Sequence, residues 1–600
     1  MQRQRDSIIR VNEAEQARLN EEIRRAEEMR SEIAADDSLR QRDIQDRFGE
    51  FAQVVEGESQ IITLENEVMK VHISTKGGRP YSVEMKDFKR YDQSPLLLFD
   101  GDSTIFGFKF FTHNHRVIDT NSLFFEPQTE QTHIRVTGDS ASLIMRLNAG
   151  ENAYMEYRYT LKINDYMVGF DVNMVNMNKI IAGNQSIIDF EWQVYSPRQE
   201  KGAKNENQYT TLFYKHHQDA VEELSGTKDS DRKEVRTRLD WVVFKQQFFS
   251  WGLIAGQSFA NADMQFSNQP ENSRFTKKFD ALIGMRFETS QDYQTLPMQI
   301  YFGPNRFNTL KQYDLELERL VFLGRSIIRG INRLIIIPIF NWLGGFFDSY
   351  GIIILLMTII IKVSLLPLTF KSFMSTARMR VLKPQIDEIN ERIPKEKAME
   401  RQQAVMALYK KVGVSPMGGC LPMLLQFPIL FAMFRFFPTS IELRQQSFLW
   451  ATDLSTYDSI YDLPFTIPLY GDHVSLFTLL MAITTIFSMK ISSGQTDTSA
   501  MPGMKTMLYI MPVMLLVFLN SFSAALTYYY FVSNVFTLAQ NEIFKRSIDE
   551  SKILAQLQAN SAKPVKKSKF QQRLEQMQKQ QNTLNQAKKT GTNKQQGKRK

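Results

Sequence analysis

The chain has 600 residues, one cysteine, a net charge of +8 and a mean hydropathy of −0.30. That length exceeds a single compact core, one cysteine excludes an internal disulfide, and 43% hydrophobic with 12% aromatic residues excludes disorder throughout. Two features do not fit a plain soluble enzyme: 28 methionines, and a C-terminal stretch (561–600) with twelve Lys or Arg against Glu575 alone.

Residues 1–56 read as one charged helix, in which Glu13, Glu21, Glu22 and Glu27 interleave with Arg18, Arg24, Arg25 and Arg30. Such mixed charge marks a solvated linker helix, and the stretch lacks the apolar segment of a signal peptide. Residues 57–305 change to period-two alternation. Met69, Val71 and Ile73 alternate with polar neighbours, as do Tyr157, Tyr159, Leu161 and Ile163. Asn164-Asp165 makes a turn, and Val168, Phe170, Val172 and Met174 resume the pattern. Gly77-Gly78 marks another turn. The segment is predicted to be a large antiparallel β-sandwich.

In 306–347 the apolar run from Leu334 to Phe347 is broken by Pro338, Asn341 and Gly344-Gly345 and is too short to span a bilayer. Arg325, Arg329 and Arg333 precede it on one helical face, predicting an amphipathic helix in the membrane interface. Residues 348–546 hold five predicted spans, at about 351–370, 418–437, 474–491, 505–520 and 523–544. Loop charges orient them. The 371–417 loop has ten Lys or Arg and five acids, so it is cytoplasmic. The 438–473 loop sets Glu442, Asp453, Asp458, Asp462 and Asp472 against Arg444, so it is external. The β-domain is then outside and the basic 547–600 tail inside. An external domain needs export, so a signal-anchor helix ahead of residue 1 is expected.

No G-x-S-x-G, phosphate-binding loop or H-E-x-x-H pattern occurs. His113, His115, His216 and His217 lack metal-ligand spacing. The expectation is therefore a protein that is not an enzyme, with no metal, cofactor or small-molecule substrate. No acid lies inside a span before Glu542, which weakens an ion-coupled transporter; a polytopic transporter or channel stays as the alternative. An intramembrane enzyme using Lys362 as base lacks a nucleophile, because Ser364 lies off the Lys362 face.

Lys362 is the main positive signal. A lysine near the centre of a span costs roughly 2.5–3.5 kcal/mol on insertion scales. Either it snorkels to the cytoplasmic end, or it faces a water-filled cavity, which Thr358 one turn earlier on the same face favours. The last span carries Ser523, Thr527, Tyr530, Asn534, Thr537 and Asn541 at spacings of three and four, Thr478, Thr485 and Ser488 do the same more weakly in 474–491, and Gln426 sits midway along 418–437. Such stripes serve helix–helix hydrogen bonds or a shared hydrophilic groove; the lone lysine favours the groove. In the cytoplasmic loop, the stretches from Thr376 to Ile393 and from Lys395 to Val412 read as two amphipathic helices broken at Pro394. Met374, Met379, Met399 and Met406 there suit varied apolar clients as well as ordinary packing.

Several motifs closely resemble the core of the YidC/Oxa/Alb family of membrane insertases. They are Lys371-Ser372, Arg378-Met379-Arg380, Leu382-Lys383-Pro384, Ala407-Leu408-Tyr409-Lys410, Pro416-Met417-Gly418-Gly419-Cys420 and Gln426-Phe427-Pro428-Ile429. Tyr529-Tyr530 followed by Val532-Ser533-Asn534 resembles the family's last helix, and Trp241 through Phe249 with Tyr301-Phe302-Gly303-Pro304 resembles the external domain of Gram-negative members. The resemblance implies a β-supersandwich outside an inner membrane. It also implies a five-helix multi-pass core around a groove open to cytoplasm and lipid, with a cytoplasmic helical hairpin. It assigns the groove to Lys362, Thr358, Gln426, Thr527, Tyr529, Tyr530 and Asn534, and the hairpin surface to Arg378, Arg380, Lys383, Tyr409 and Lys410. The family's groove cation is typically arginine; lysine keeps the charge and loses the planar fork. The implied function is insertion and folding of nascent membrane proteins, lipoproteins included, alone or with the Sec translocon. The basic tail seeks polyanions, either ribosomal RNA or an anionic bilayer surface.

Overall fold

The computed structural model describes Glu21 and residues 39–101, 104–414, 421–493 and 504–561. Most of the charged helix expected over 1–56, the 416–420 motif and the tail beyond 561 lie outside the described residues. Residues 39–48 are helical and lead through a 3-10 turn, Gly49–Val54, to the first strand, Ile61–Glu65. The chain divides into two compact units, Met1–Phe322 with Thr439–Gln445, and Leu323–Pro438 with Gln446–Lys600.

The first unit is built on two large antiparallel sheets. A nine-stranded sheet runs in the order Val221–Glu223, Thr211–His216, Leu239–Lys245, Phe249–Phe259, Tyr293–Pro304, Met167–Val175, Ala153–Lys162, Ser140–Ala149, Glu126–Pro127. A six-stranded sheet runs Ser230–Val235, Asn261–Asn268, Phe275–Arg286, Ile187–Pro197, Ile105–Phe111, Val117–Asp119. The alternating residues decide which face is inward. Tyr157, Tyr159 and Leu161 are fully buried, while Arg158 between them and Lys162 after them are exposed. Their strand turns at Asn164 (φ 50°) and pairs antiparallel with Met167–Val175, Tyr157 opposite Val172. Aromatic rings from both sheets fill the core: Phe106 meets Phe170 at 5.2 Å and Phe190 at 4.7 Å, and Phe244 stacks on Phe279 at 4.9 Å. Fully burying one such side chain contributes roughly 1.5–3 kcal/mol. A smaller sheet, with strands Pro95–Leu97, Pro80–Lys89, Met69–Ser74, Ile61–Glu65 and His133–Arg135, completes the unit. Gly78 (φ +61°) turns it where a Cβ would meet the Phe125 ring at 2.8 Å. The segment Thr439–Gln445 belongs here: Arg444 Nε donates to Glu200 Oε1 at 2.7 Å, and its Nη2 donates to the Lys89 carbonyl at 2.6 Å.

The second unit is helical. Ser326–Gly344 is one continuous helix of 19 residues with a π-turn at Asn332–Ile336. Its three preceding or embedded arginines are exposed, as are Ile327, Leu334, Ile335 and Trp342. The apolar run expected to be too short to span is thus the second half of a longer helix. The span expected at 351–370 is not one rod. It is Tyr350–Ser364 and Leu366–Val381, bent by 59°. Pro367 explains the break, since it lacks an N–H and disfavours helix at the residue before it. The first arm of the cytoplasmic hairpin is likewise divided, at Leu382 ahead of Pro384, into Leu366–Val381 and Lys383–Arg392; the second arm is Ala398–Val412. Leu421–Phe436, Leu476–Ser493, Met504–Leu519 and Ala524–Arg546 follow. Among the described residues, Ser326–Gly344 alone is long and apolar enough to cross a bilayer as a single helix, and the bent pair counts as a second. A 16-residue helix such as Leu421–Phe436 rises only about 24 Å. The expected tail begins as a helix, Glu550–Ser561. It packs Ile553 and Leu557 with Ala377, Met379, Leu382, Ile386, Val412 and Val414 of the hairpin, and Arg380 pairs with Glu550 at 2.6 Å.

Candidate client groove

The Ala524–Arg546 helix is keyed by polar side chains on two faces. Toward the bent pair, Lys362 Nζ donates to Thr537 Oγ1 at 2.9 Å, and Gln540 Nε2 donates to Thr369 Oγ1 at 2.6 Å. Toward Leu476–Ser493, Asn534 Nδ2 donates to Thr485 Oγ1 at 2.8 Å. Lys362 is 6% exposed, in the last turn before the bend, and no carboxylate pairs with it among the described residues. The Thr537 hydroxyl accepts from Lys362 and donates to the Ser533 carbonyl at 2.8 Å, so both its roles are filled.

The other expected groove residues divide by environment. Thr358 is fully buried and its hydroxyl donates to the Ile354 carbonyl of its own helix at 2.7 Å. Thr527 is fully buried and donates to the Ala524 carbonyl at 3.2 Å. Both hydroxyls are spent on local backbone, as threonine often does mid-helix. Tyr529 is buried with its ring 5.8 Å from Phe437, whereas Tyr530, Asn534 and Gln426 are half-buried. Gln540 and Thr369 escaped the sequence reading. Gln540 falls three residues after Thr537, so extending the stripe along the Ser533 face finds it.

The opposite end of these helices is closed by paired polar groups. Buried Asp458 accepts from Ser475 Oγ at 2.6 Å, the Phe477 amide at 3.0 Å and Trp450 Nε1 at 2.8 Å. It thereby caps the Leu476–Ser493 helix, whose first amides would otherwise lack acceptors. Buried Asn520 accepts from the Ser475 amide at 3.1 Å. The Ala524 and Ala525 amides donate to the Thr456 and Leu454 carbonyls at 2.7 and 3.0 Å.

On the hairpin, Arg378 is half-buried, and Lys383 and Lys410 are exposed. Tyr409 lies against the hairpin core. Gly413 (φ +71°) ends the second arm, with its amide on the Lys410 carbonyl and the Val414 amide on Tyr409. Arg401, another residue the sequence reading missed, donates to the Ile393 carbonyl at 2.7 Å and to Asn390. Met399 and Met406 are exposed, two turns apart. Among the described residues no group of three His, Cys, Asp or Glu side chains is placed to hold a metal ion.

Comparison with known proteins follows this division. The YidC periplasmic domain profile matches residues 61–337, and the 60Kd inner membrane protein profile matches 342–552. The membrane protein insertase YidC of Parabacteroides distasonis is 44% identical over 605 residues, covering 97% of this chain and 93% of its own length. That of Bacteroides fragilis is 41% identical over 592 residues (96% and 92%), and that of Porphyromonas gingivalis 38% over 572 (92% and 90%). The chain belongs to the YidC family of membrane protein insertases.

Proposed function

We propose that this insertase moves hydrophobic client segments into the bilayer without covalent chemistry, along the polar seam of the Ala524–Arg546 helix. Lys362 carries the reading. It is a buried cation beside a helix bend, held by one neutral hydroxyl and, among the described residues, not by an acid. Its charge is therefore free to attract an acidic client flank, and the seam's amides and hydroxyls lower the cost of carrying polar groups past lipid. The client's apolar segment then partitions into lipid, driven by burial of roughly 25 cal/mol per Å².

In this reading the five segments of 348–546 cross the inner membrane with the β-unit in the periplasm. The hairpin, through exposed Met399, Met406, Lys383 and Lys410, receives the nascent chain in the cytoplasm. The 561–600 tail holds the ribosome through its RNA, each basic group near a polyanionic surface being worth about 1 kcal/mol and screened by salt. The Sec translocon is an optional partner.

Reconstitution of the purified chain in vesicles with clients differing only in flanking charge tests this. Lys362→Ala is expected to impair acidic-flanked clients most; full insertion of every client by that variant refutes the role of the charge. Ribosome co-sedimentation is expected to weaken with salt and on removal of 561–600.

A further inference from the structure

Between the Leu421–Phe436 and Leu476–Ser493 helices stands an antiparallel hairpin, Tyr461–Ile467 with Gly471–Val474. The nine residues 463–471 carry no charge. Tyr461, Leu463, Phe465, Ile467 and Leu469 recur at every second position. Tyr461 and Phe465 are each 61% exposed and Leu469 is 92% exposed. Leu469 also has φ +69°, a left-handed conformation rare for a bulky residue. An exposed apolar strand of this kind is a liability in water, normally blunted with charges.

The hairpin is fixed at its turn and along its second strand. Asn520 Nδ2 donates to the Tyr470 and His473 carbonyls at 3.1 and 2.8 Å, and the His473 ring stacks on Tyr457 at 3.7 Å. Asn520 directly follows the Met504–Leu519 helix, and Val474 stops two residues before Leu476. The hairpin is thus held at the level where two core helices end, and Leu469 directly precedes the turn residue that Asn520 holds there. The charges nearest the apolar run are Asp462 and Asp472, which flank it, and Tyr461 and Tyr470 are of the aromatic type that collects at bilayer surfaces.

We infer that this hairpin dips into the outer leaflet of the bilayer, burying Phe465, Ile467 and Leu469 among lipid headgroups and upper acyl chains, and so sets the depth of the closed end of the groove. The inference rests on the reading that the Leu476–Ser493 and Met504–Leu519 helices cross the membrane.

The test uses the full chain with Cys420→Ser and one new cysteine, Leu469→Cys or Ile483→Cys, carrying an environment-sensitive fluorophore. Ile483 is exposed on the Leu476–Ser493 helix. Vesicles of phosphatidylethanolamine and phosphatidylglycerol carry nitroxide lipids, and no client is present. Expected is a loss of about half the emission at position 469 with shallow nitroxides, as for an interfacial apolar anchor, and protection from aqueous iodide that persists when protein is diluted in lipid. Quenching of the 483 label by lipid together with iodide-only quenching at 469 overturns the hairpin inference. So does protection at 469 that vanishes on dilution, which identifies a second copy as the cover. A 483 label untouched by lipid nitroxides overturns the membrane-spanning reading itself.

Discussion

Replacing Lys362 with methionine should separate function from stability, with opposite signs. The substitution keeps an unbranched side chain of similar reach and removes the buried charge. Holding a lysine inside a span costs up to roughly 2.5–3.5 kcal/mol on insertion scales. Against that stands one charge-assisted hydrogen bond, to Thr537 Oγ1 at 2.9 Å, worth about 1.5–3 kcal/mol. Losing it orphans nothing, because the Thr537 hydroxyl still donates to the Ser533 carbonyl. The balance favours Lys362→Met by on the order of 1 kcal/mol, a rise in melting temperature of about 2–4 °C for a unit of this size. Melting followed by helical circular dichroism in detergent measures the gain, and insertion of acidic-flanked clients in vesicles measures the loss. A variant that melts several degrees lower, or that inserts those clients at the wild-type rate, refutes the view of Lys362 as a charge kept for its clients.

Three further outcomes test the scaffold. Burial pushes the Glu65 carboxyl up, but hydrogen bonds from Lys86, His133 and Arg135 outweigh it and hold its pKa at about 2. A depressed carboxylate pKa stabilises above the ordinary value and is lost as pH falls. Glu65→Gln should therefore destabilise the β-unit at pH 7 by about 1.5–2.5 kcal/mol, allowing for two exposed partners. The gap in urea midpoint, read from the buried Trp192, Trp241 and Trp251, should narrow below pH 4.5 and close near pH 2; an unchanged gap there refutes it. Arg444→Met strands Glu200 without its cation at a buried site and should lower the β-unit's stability by about 3–5 kcal/mol, largely restored by adding Glu200→Gln; no restoration in the melting curve refutes the pairing. Gly351→Ala places a Cβ 2.1 Å from the Phe448 ring, so it should cost about 1–3 kcal/mol of helical-unit stability and recover with Phe448→Leu.

What the sequence disclosed, and what it withheld, follows from the range of the forces involved. The strands at 157–162 and 168–174 were legible because a one-sided burial stamps period two onto local residues, and Tyr157 does pair with Val172, although Ile163 falls in the turn and is exposed. Lys362 was legible because a charge inside an apolar run has few explanations. The bend before Pro367 was hidden, since the hydrophobic run continues across the proline and hydropathy does not register a missing N–H. Thr358 shares a helical face with Lys362, yet its hydroxyl turns back to the Ile354 carbonyl, a choice that spacing alone does not reveal. Asp458 and Asn520 lie in loops without period, and only the folded loop shows that they close the helix ends. The Glu550–Ser561 helix was lost in the average of a basic tail, although Ile553 and Leu557 give it an apolar edge.

The two-faced keying of the Ala524–Arg546 helix has a mechanical consequence. In lipid, greasy contacts alone leave a helix free to roll about its axis, since one aliphatic neighbour replaces another at little cost. Bonds from Thr537 and Gln540 on one side and Asn534 on the other set its azimuth like pins in a hub. A roll of one residue, about 100°, breaks all three together. The surrounding aliphatic side chains are thereby relieved of orienting the helix and can repack without turning it, as the proposed client path requires.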